Sequence, residues 1–215
     1  MTLTAGTNVA RVPSFTCATC GQAFSVPPST LAKYPNWTPR QCMSCKGGRP
    51  RSVAVEENLT LAQVLEKYTG GPTDGVFTDG AADPNPGPGG WGAVYVLGGV
   101  VIAEDAGAEA HTTNNRMELT ALIAAYDLVP AGAATTAWSD SKLCVDTITL
   151  WAAGWARNGW RRKGGEIKNL DLVQRLYSLS LARPQVELRW IKAHAGSRWN
   201  EYADSLATAY RRATR

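Results

Sequence analysis

The sequence predicts an α/β fold, a mixed β-sheet flanked by helices, with a small cysteine-bearing module in front of it. Three observations carry this reading. Short apolar stretches twice end on a carboxylate, at Val76-Phe77-Thr78-Asp79-Gly80 and at Ala137-Trp138-Ser139-Asp140-Ser141. Between residues 75 and 213, three successive strand-like stretches give way to alternating helices and strands, the pattern of a mixed sheet with helices packed on it. Near the start stand two Cys-x-x-Cys pairs, Cys17/Cys20 and Cys42/Cys45.

A length of 215 residues suits one good-sized domain plus a small one. The domains are read as a cysteine module over 1–50, a linker over 51–74 and the main domain over 75–215. No apolar run reaches the length of a membrane span, and Met1–Ser14 has neither the apolar core nor the cleavage signature of a secretory signal. A cytoplasmic location without membrane contact is therefore expected, and a monomer is taken as the working state, although the sequence does not determine the oligomeric state. The net charge of +4 is unevenly spread. Residues 1–50 hold Arg11, Lys33, Arg40, Lys46 and Arg49 with no acid, and residues 155–168 hold five basic residues against Glu166 alone. Two such patches suggest a polyanionic partner, although solubilising faces have the same composition.

In the N-terminal module, 21 residues separate the two Cys-x-x-Cys knuckles. Four thiolates without an open position favour a structural Zn²⁺ held by Cys17, Cys20, Cys42 and Cys45 in a zinc-ribbon-like module, with Zn–S distances of about 2.3 Å. Two disulfides or a redox pair are the competing readings, and a cytoplasmic location weighs against disulfides. So short a segment buries little core, so the metal would supply much of its folding energy. Val26-Pro27-Pro28 and Tyr34-Pro35 read as loop. With Tyr34 and Trp37 beside basic residues, the module suits nucleic acid; contact with a protein partner and simple tethering are the alternatives. In the linker, Thr60-Leu61-Ala62-Gln63 has the form of a capping box. Leu61, Val64, Leu65 and Tyr68 follow at helical spacing, and Gly70-Gly71-Pro72 ends the helix.

In the main domain, strands are predicted over 75–79, 91–97, 100–108, 135–140 and 186–192. Helices are predicted over 115–129, 141–152, 170–182 and 200–213, with a Gly/Pro loop over 81–90 and a basic insertion over 153–167. A lone Asp at a strand end is common as a turn residue. Here two strand ends, Asp79 and Asp140, are joined by helical acids. Glu118 heads an apolar stripe with Leu122, Ala125 and Val129 at i, i+4, i+7 and i+11. Unpaired burial there costs several kcal/mol, so a cation is expected nearby, a metal ion or the guanidinium of Arg116. Asp204 lies on a helix face of mixed polarity, which periodicity alone leaves exposed.

Residues 75–213 closely resemble ribonuclease HI. The resemblance rests on Phe77-Thr78-Asp79-Gly80, on Asn85-Pro86-Gly87-Pro88-Gly89-Gly90-Trp91-Gly92, on Thr112-Thr113-Asn114-Asn115-Arg116-Met117-Glu118-Leu119, on Ser139-Asp140-Ser141, on His194-Ala195-Gly196, and on Asn200-Glu201 leading to Asp204, all in the family's order. It implies the RNase H-like fold, a five-stranded mixed sheet with helices on both sides. It also implies that Asp79, Glu118, Asp140 and Asp204 converge as metal ligands, and that His194 assists proton transfer or product release. Where this chain has Ala193, the family commonly has Gly. The residue types fit that chemistry. Clustered carboxylates repel one another, hard oxygen ligands favour Mg²⁺ with Mn²⁺ as substitute, and two ions roughly 3.5–4 Å apart can clamp an in-line displacement at phosphorus.

The implied reaction cuts the RNA strand of an RNA–DNA hybrid to leave a 5′-phosphate and a 3′-hydroxyl. By the same resemblance, Asn85, Asn114 and Asn115 reach the minor groove, where RNA is told from DNA by its 2′-hydroxyls. Thr113 and Asn169 would hold a phosphate of the DNA strand. The segment from Trp151 to Lys163 resembles the family's basic protrusion. It carries three Trp and four basic residues in thirteen positions, and Trp151, Trp155, Arg161, Arg162 and Lys163 would contact the DNA backbone. Core packing of Trp151 and Trp155 at i, i+4 is the plainer reading. A non-catalytic hybrid- or duplex-binding protein on the same fold is the alternative function, which the presence of all four acids disfavours. A nuclease on another substrate, of the recombinase or Holliday-junction kind, is disfavoured by the Asn and protrusion motifs.

Overall fold

Strands β3 (Gly75–Ala82), β4 (Gly87–Leu97), β5 (Val100–Thr112), β6 (Thr135–Ser139) and β7 (Val186–Trp190) form one sheet of order β5-β4-β3-β6-β7 in the computed structural model. The structure describes residues 13–43, 45 and 58–213. The pairs β3–β4 and β4–β5 are antiparallel, whereas β6 runs parallel to both β3 and β7. This is the RNase H-like mixed sheet that the resemblance implies. β3 is buried along nearly its whole length, as a near-continuous apolar strand covered on both faces should be.

Side-chain alternation sends neighbouring residues to opposite faces. Val76, Tyr95 and Ala137 enter a core with Leu122 and Tyr126 of α3 (Asn114–Leu128) and Val173 and Leu176 of α6 (Leu170–Ala182). Phe77, Val94 and Val96 enter the opposite core, built with Trp199, Tyr202 and Ala203 of α7 (Arg198–Ala207). Between β6 and α6 the chain forms α4 (Lys142–Asp146), a π-helical turn (Thr147–Trp151) and α5 (Ala152–Arg157).

Several expectations change: β3 runs past Asp79 to Ala82, and the helix expected over 141–152 is broken by the π-helical turn Thr147–Trp151. The stretch Gly87–Gly90 lies in β4 and not in the Gly/Pro loop, which shrinks to residues 83–86. The helix expected over 200–213 divides into α7 and α8 (Tyr210–Ala213). The linker is shorter than expected, because the chain divides into two compact units between Glu57 and Asn58. Residues 58–74 therefore belong to the main unit. Their helix α2 (Leu61–Lys67) has the expected capping box, with Thr60 N donating to Gln63 Oε1 at 2.9 Å and Gln63 N to Thr60 Oγ1 at 3.4 Å. Its Val64 is fully buried in the core with Phe77 and Trp199.

The first unit has a short hairpin, β1 (Ser14–Thr16) with β2 (Ala23–Ser25), followed by α1 (Pro28–Lys33). The helix replaces part of the loop expected there, with Pro28 at its first position, where a missing N–H costs nothing. Of the basic residues counted in this unit, Arg11, Lys46 and Arg49 lie outside the described residues, as does the 51–57 part of the linker. No helix among the described residues is long and apolar enough to cross a membrane.

Candidate active site

Asp79 is the fifth residue of β3, Glu118 stands in the second turn of α3, and Asp140 directly follows β6. Each offers a carboxylate oxygen, and these oxygens lie within 4.8 Å of one another. Two glycines make the convergence possible. A Cβ on Gly80 would meet Glu118 N at 2.2 Å, so only glycine lets α3 lie this close to β3. A Cβ on Gly92, the β4 partner of Asp79, would meet Leu206 Cβ at 2.4 Å, so α7 lies equally close to the sheet.

The acids are short of compensation. Burial and the charges of Asp140 and Asp204 hold the Asp79 carboxyl well above the usual carboxylate range. Burial, then Asp79, Asp140 and Asp204, does the same to Glu118. Glu118 Oε2 is buried without a hydrogen-bond partner. The alternative partner Arg116 instead pairs with Asp171, Nη2 to Oδ2 at 3.1 Å. Asp204 on α7 lies outside the mutual cluster of three, but acts on Asp79 through its charge and a side-chain hydrogen bond.

Asp140 is also raised by burial, against which a hydrogen bond from Asn200 and the charge of His194 work. Asn200 Nδ2 donates to Asp140 Oδ2 at 3.1 Å, and Trp190 Nε1 donates to the Asp140 carbonyl at 3.0 Å. His194 sits in the β7–α7 loop with a left-handed φ of 46° and an exposed side chain. Its Nδ1 lies 4.0 Å from Oε2 of the buried Glu201. Asn200 and Glu201 belong to a sequence motif that leads to Asp204, and neither carries an expected role of its own. Their positions on the first turn of α7 were the available signal.

The substrate-binding candidates divide into two groups. Asn85 and Asn114 fasten the β3–β4 loop to the start of α3: Asn114 N donates to Asn85 Oδ1 at 3.3 Å, and Ala82 N donates to Asn114 Oδ1 at 2.6 Å. Both bonds engage the side-chain oxygens and not the Nδ2 donors. Thr113 caps α3, its Oγ1 accepting from Arg116 N at 3.4 Å. Asn115, Trp151, Trp155, Arg162, Lys168 and Asn169 line one cleft of about 140 Å³, floored by Leu119, Cys144 and Val173. Asn169 stands at the head of α6 with φ 54°, and its side chain makes no capping bond. Trp151 is 40% exposed, while Trp155 packs on the core with its ring 6.0 Å from that of Trp151. Arg161 and Lys163 are exposed and do not line the cleft. Lys168, the residue after the basic insertion and not among the substrate-binding candidates, also lines the cleft.

In the first unit, Cys17, Cys20, Cys42 and Cys45 each offer a sulfur within 4.8 Å of the others, and none is in a disulfide. Cys20 Sγ and Cys42 Sγ are 3.8 Å apart. A tetrahedron with metal–sulfur bonds of about 2.3 Å has edges of ~3.8 Å. Cys42 N donates to Cys17 Sγ at 3.3 Å, and this bond leads the interactions that draw the Cys17 thiol down to about 6. An open cleft on this unit is lined by Trp37, Thr38, Arg40 and Gln41.

Comparison with known proteins places these features in context. Residues 73–212 match the family model of RNase H. Ribonuclease H of Methylorubrum extorquens (strain PA1) is 50% identical over 137 residues, a match covering 64% of this chain and 59% of that protein. The chain therefore spans less than two thirds of that relative. Ribonuclease H of Nitrobacter hamburgensis is 48% identical over 133 residues, which cover 61% of this chain and 87% of that protein. Among solved structures, the crystal structure of LC9-RNase H1, described as a type 1 RNase H with the type 2 active-site motif, is similar with a TM-score of 0.54 and 33% identity. It covers 66% of this chain and 74% of its own. The solution structure of the PFV RNase H domain, 20% identical, has a TM-score of 0.56 over 65% of this chain and 94% of its own, a likeness of fold alone.

Proposed function

The chain belongs to the RNase H family of ribonuclease enzymes, and from that premise we propose that it hydrolyses the RNA strand of RNA–DNA hybrids, leaving 5′-phosphate and 3′-hydroxyl ends. The observation that carries the reading is the buried meeting of Asp79, Glu118 and Asp140, with Asp204 acting on Asp79. Three carboxylates this close, none in an ion pair with a Lys or Arg among the described residues, and an orphaned buried oxygen on Glu118 form a donor set suited to hard divalent ions. Asp79, Glu118, Asp140 and Asp204 would hold Mg²⁺, with Mn²⁺ as substitute. When bound, two such ions lower the pKa of an attacking water and stabilise the leaving 3′-oxygen.

The remaining work falls to the chain itself. Asn200 holds the Asp140 carboxylate in orientation through its amide. His194, on an exposed loop beside Asp140, is placed to accept or deliver a proton to solvent, with Glu201 Oε2 4.0 Å from its Nδ1. The Nδ2 groups of Asn85 and Asn114 offer donors to ribose hydroxyls, joined by Asn115. Thr113, Asn169 and the cleft of Trp151, Trp155, Arg162 and Lys168 receive the DNA backbone, with Arg161 and Lys163 adding sequence-independent charge.

The first unit is read as a structural Zn²⁺ module, held by its four thiolates, that assists nucleic-acid binding. Tyr34 and Trp37 are both exposed, and Lys33 and Arg40 accompany them with no acid between residues 1 and 55.

One assay tests the main reading. Labelled RNA–DNA hybrid, plain RNA and DNA duplexes are incubated with Mg²⁺ or EDTA. Cleavage of the hybrid's RNA strand alone, only with Mg²⁺ and lost in Asp140→Asn, is expected. Hybrid left intact by the wild type, or cut equally by Asp140→Asn, rejects the assignment.

A further inference from the structure

The family match begins at residue 73, yet the compact main unit begins at Asn58. The intervening segment is bound along its length to α7 and the loop before it, and at its start also to Arg212 of α8, whose Nη1 donates to the Leu59 carbonyl at 2.9 Å. Ser205 Oγ donates to the Leu59 carbonyl at 2.6 Å. Arg198 Nη2 donates to the Leu65 carbonyl at 2.7 Å, and the Arg198 backbone N donates to the Gly70 carbonyl at 2.8 Å. Gly70 and Ser197 form a parallel β-bridge. Gly71, with φ 93°, leaves 2.4 Å between its Cβ position and Ser197 Oγ, so no side chain fits between segment and loop.

The region so held supplies much of the catalytic side. α7 carries Asn200, which grips Asp140, and Asp204, which acts on Asp79; the loop presents His194 three residues before Ser197. A loop of small residues, Ala193-His194-Ala195-Gly196, has little packing of its own to fix it. We propose that residues 58–72 form a strap that positions the His194 loop and the head of α7, with Arg198 as its clasp at that end of the helix. The residue is a positioning residue: one guanidinium and one backbone N–H reach two carbonyls five residues apart on the strap, and so fix its spacing along α7. The strap precedes residues 73–212, the part that matches the family model, and so adds a support from outside that part to the site.

The proposal rests on the ribonuclease reading only for its consequence in turnover, and the test separates the two. In the full chain, Arg198→Ala, Arg198→Lys and Gly71→Ala are compared with wild type in two ways. Amide hydrogen exchange is followed over 193–200, with β3 and β6 as internal references, and kcat and KM are measured on RNA–DNA hybrid with Mg²⁺ well below the melting temperature. Arg198→Ala and Gly71→Ala should raise exchange selectively over 193–200 and lower kcat by about tenfold at nearly constant KM, the effect of a catalytic group displaced by less than ~1 Å. Arg198→Lys, which keeps the backbone bond and a charged donor, should recover part of both. Exchange over 193–200 equal to wild type in both loosening variants overturns the strap, as does a rise shared equally by β3 and β6. If Arg198→Ala does not fold, Gly71→Ala and Arg198→Lys decide. If wild type cuts no hybrid, the ribonuclease reading fails while hydrogen exchange still decides the strap.

Discussion

Asn200 gives its side-chain amide to Asp140, Nδ2 to Oδ2 at 3.1 Å, and so joins the first turn of α7 to the end of β6. The bond spans sixty residues of sequence and connects the helix that carries Asp204 with the strand end that carries Asp140. Asn200 is itself buried, and its Oδ1 has no partner. Placing so polar a group there has a cost, which the orientation of Asp140 offsets.

Removing that amide should raise the proton affinity of Asp140, because the Asn200 bond is the leading influence that opposes burial. Asn200→Ala is therefore expected to move the acid limb of the pH–rate profile to higher pH. Displacing that limb by one pH unit corresponds to about 1.4 kcal/mol, or tenfold in rate along it. Profiles of kcat/KM against pH on hybrid check this. A uniform loss at all pH values would assign Asn200 to packing alone.

The raised carboxyls of Asp79 and Glu118 link stability to pH in a fixed direction. Their folded values lie above the unfolded ones. Their contribution is thus fully present below the unfolded carboxyl pKa of about 4 and is lost as pH rises through the folded values. Without divalent ions, the melting temperature of the main unit should fall as pH climbs from about 4 toward 7. Mg²⁺ should restore it, more at pH 7 than at pH 5. Asp79→Asn should stabilise the metal-free protein at pH 7 by ~1–2 kcal/mol while abolishing cleavage. Calorimetry in EDTA and in Mg²⁺ measures each point; a melting temperature that rises with pH in EDTA would contradict the linkage.

Gly80 is tied to the site by space and not by a special backbone conformation. A methyl group there meets Glu118 N at 2.2 Å and Met117 C at 2.3 Å, both backbone atoms of α3 that cannot swing aside. Gly80→Ala should cost about 1–3 kcal/mol and lower kcat by up to about 100-fold through the displaced Glu118. Gly154→Ala on α5 provides the contrast. Nothing lies within 4 Å of its Cβ position, so it should stabilise by about 0.5–1 kcal/mol. Denaturant melts and hybrid kinetics on the two variants distinguish steric displacement from a general sensitivity of glycines.

These relations show what a sequence discloses and where it falls silent. Asp140 is readable because a carboxylate closes an apolar strand, and Asp79 because a carboxylate breaks the pattern of one, although β3 runs on past it to Ala82. Glu118 was readable because it heads a buried stripe. Asp204 had no such local sign, since its helix face is mixed, and only the order of motifs pointed to it. Gly87–Gly90 misled because glycine weakens strands, and the reason it is tolerated in β4 is tertiary: a Cβ on Gly90 would meet the Ala207 carbonyl at 2.4 Å. The partner of Arg116 was equally hidden, Asp171 lying 55 residues away. The capping box of α2 was local and legible. The surface α2 covers was not, because any neighbouring apolar face would have satisfied Val64.

The cysteine module allows charge and stacking to be separated. Purified protein should carry about one zinc per chain by elemental analysis, less in Cys42→Ser, and should release it as pH falls and the thiolates take up protons. If the module holds nucleic acid, replacing Lys33 and Arg40 with Ala should reduce the slope of log K against log salt by up to about 0.9 per lost phosphate contact on duplex. Trp37→Ala should behave differently. Stacking on a base contributes about 1–3 kcal/mol and releases no counterions, so affinity should fall while the slope holds. Binding isotherms from about 50 to 200 mM salt, on hybrid and on single strands, measure both quantities; affinity and slope that stay unchanged in all three variants would assign the module to a protein contact or to tethering.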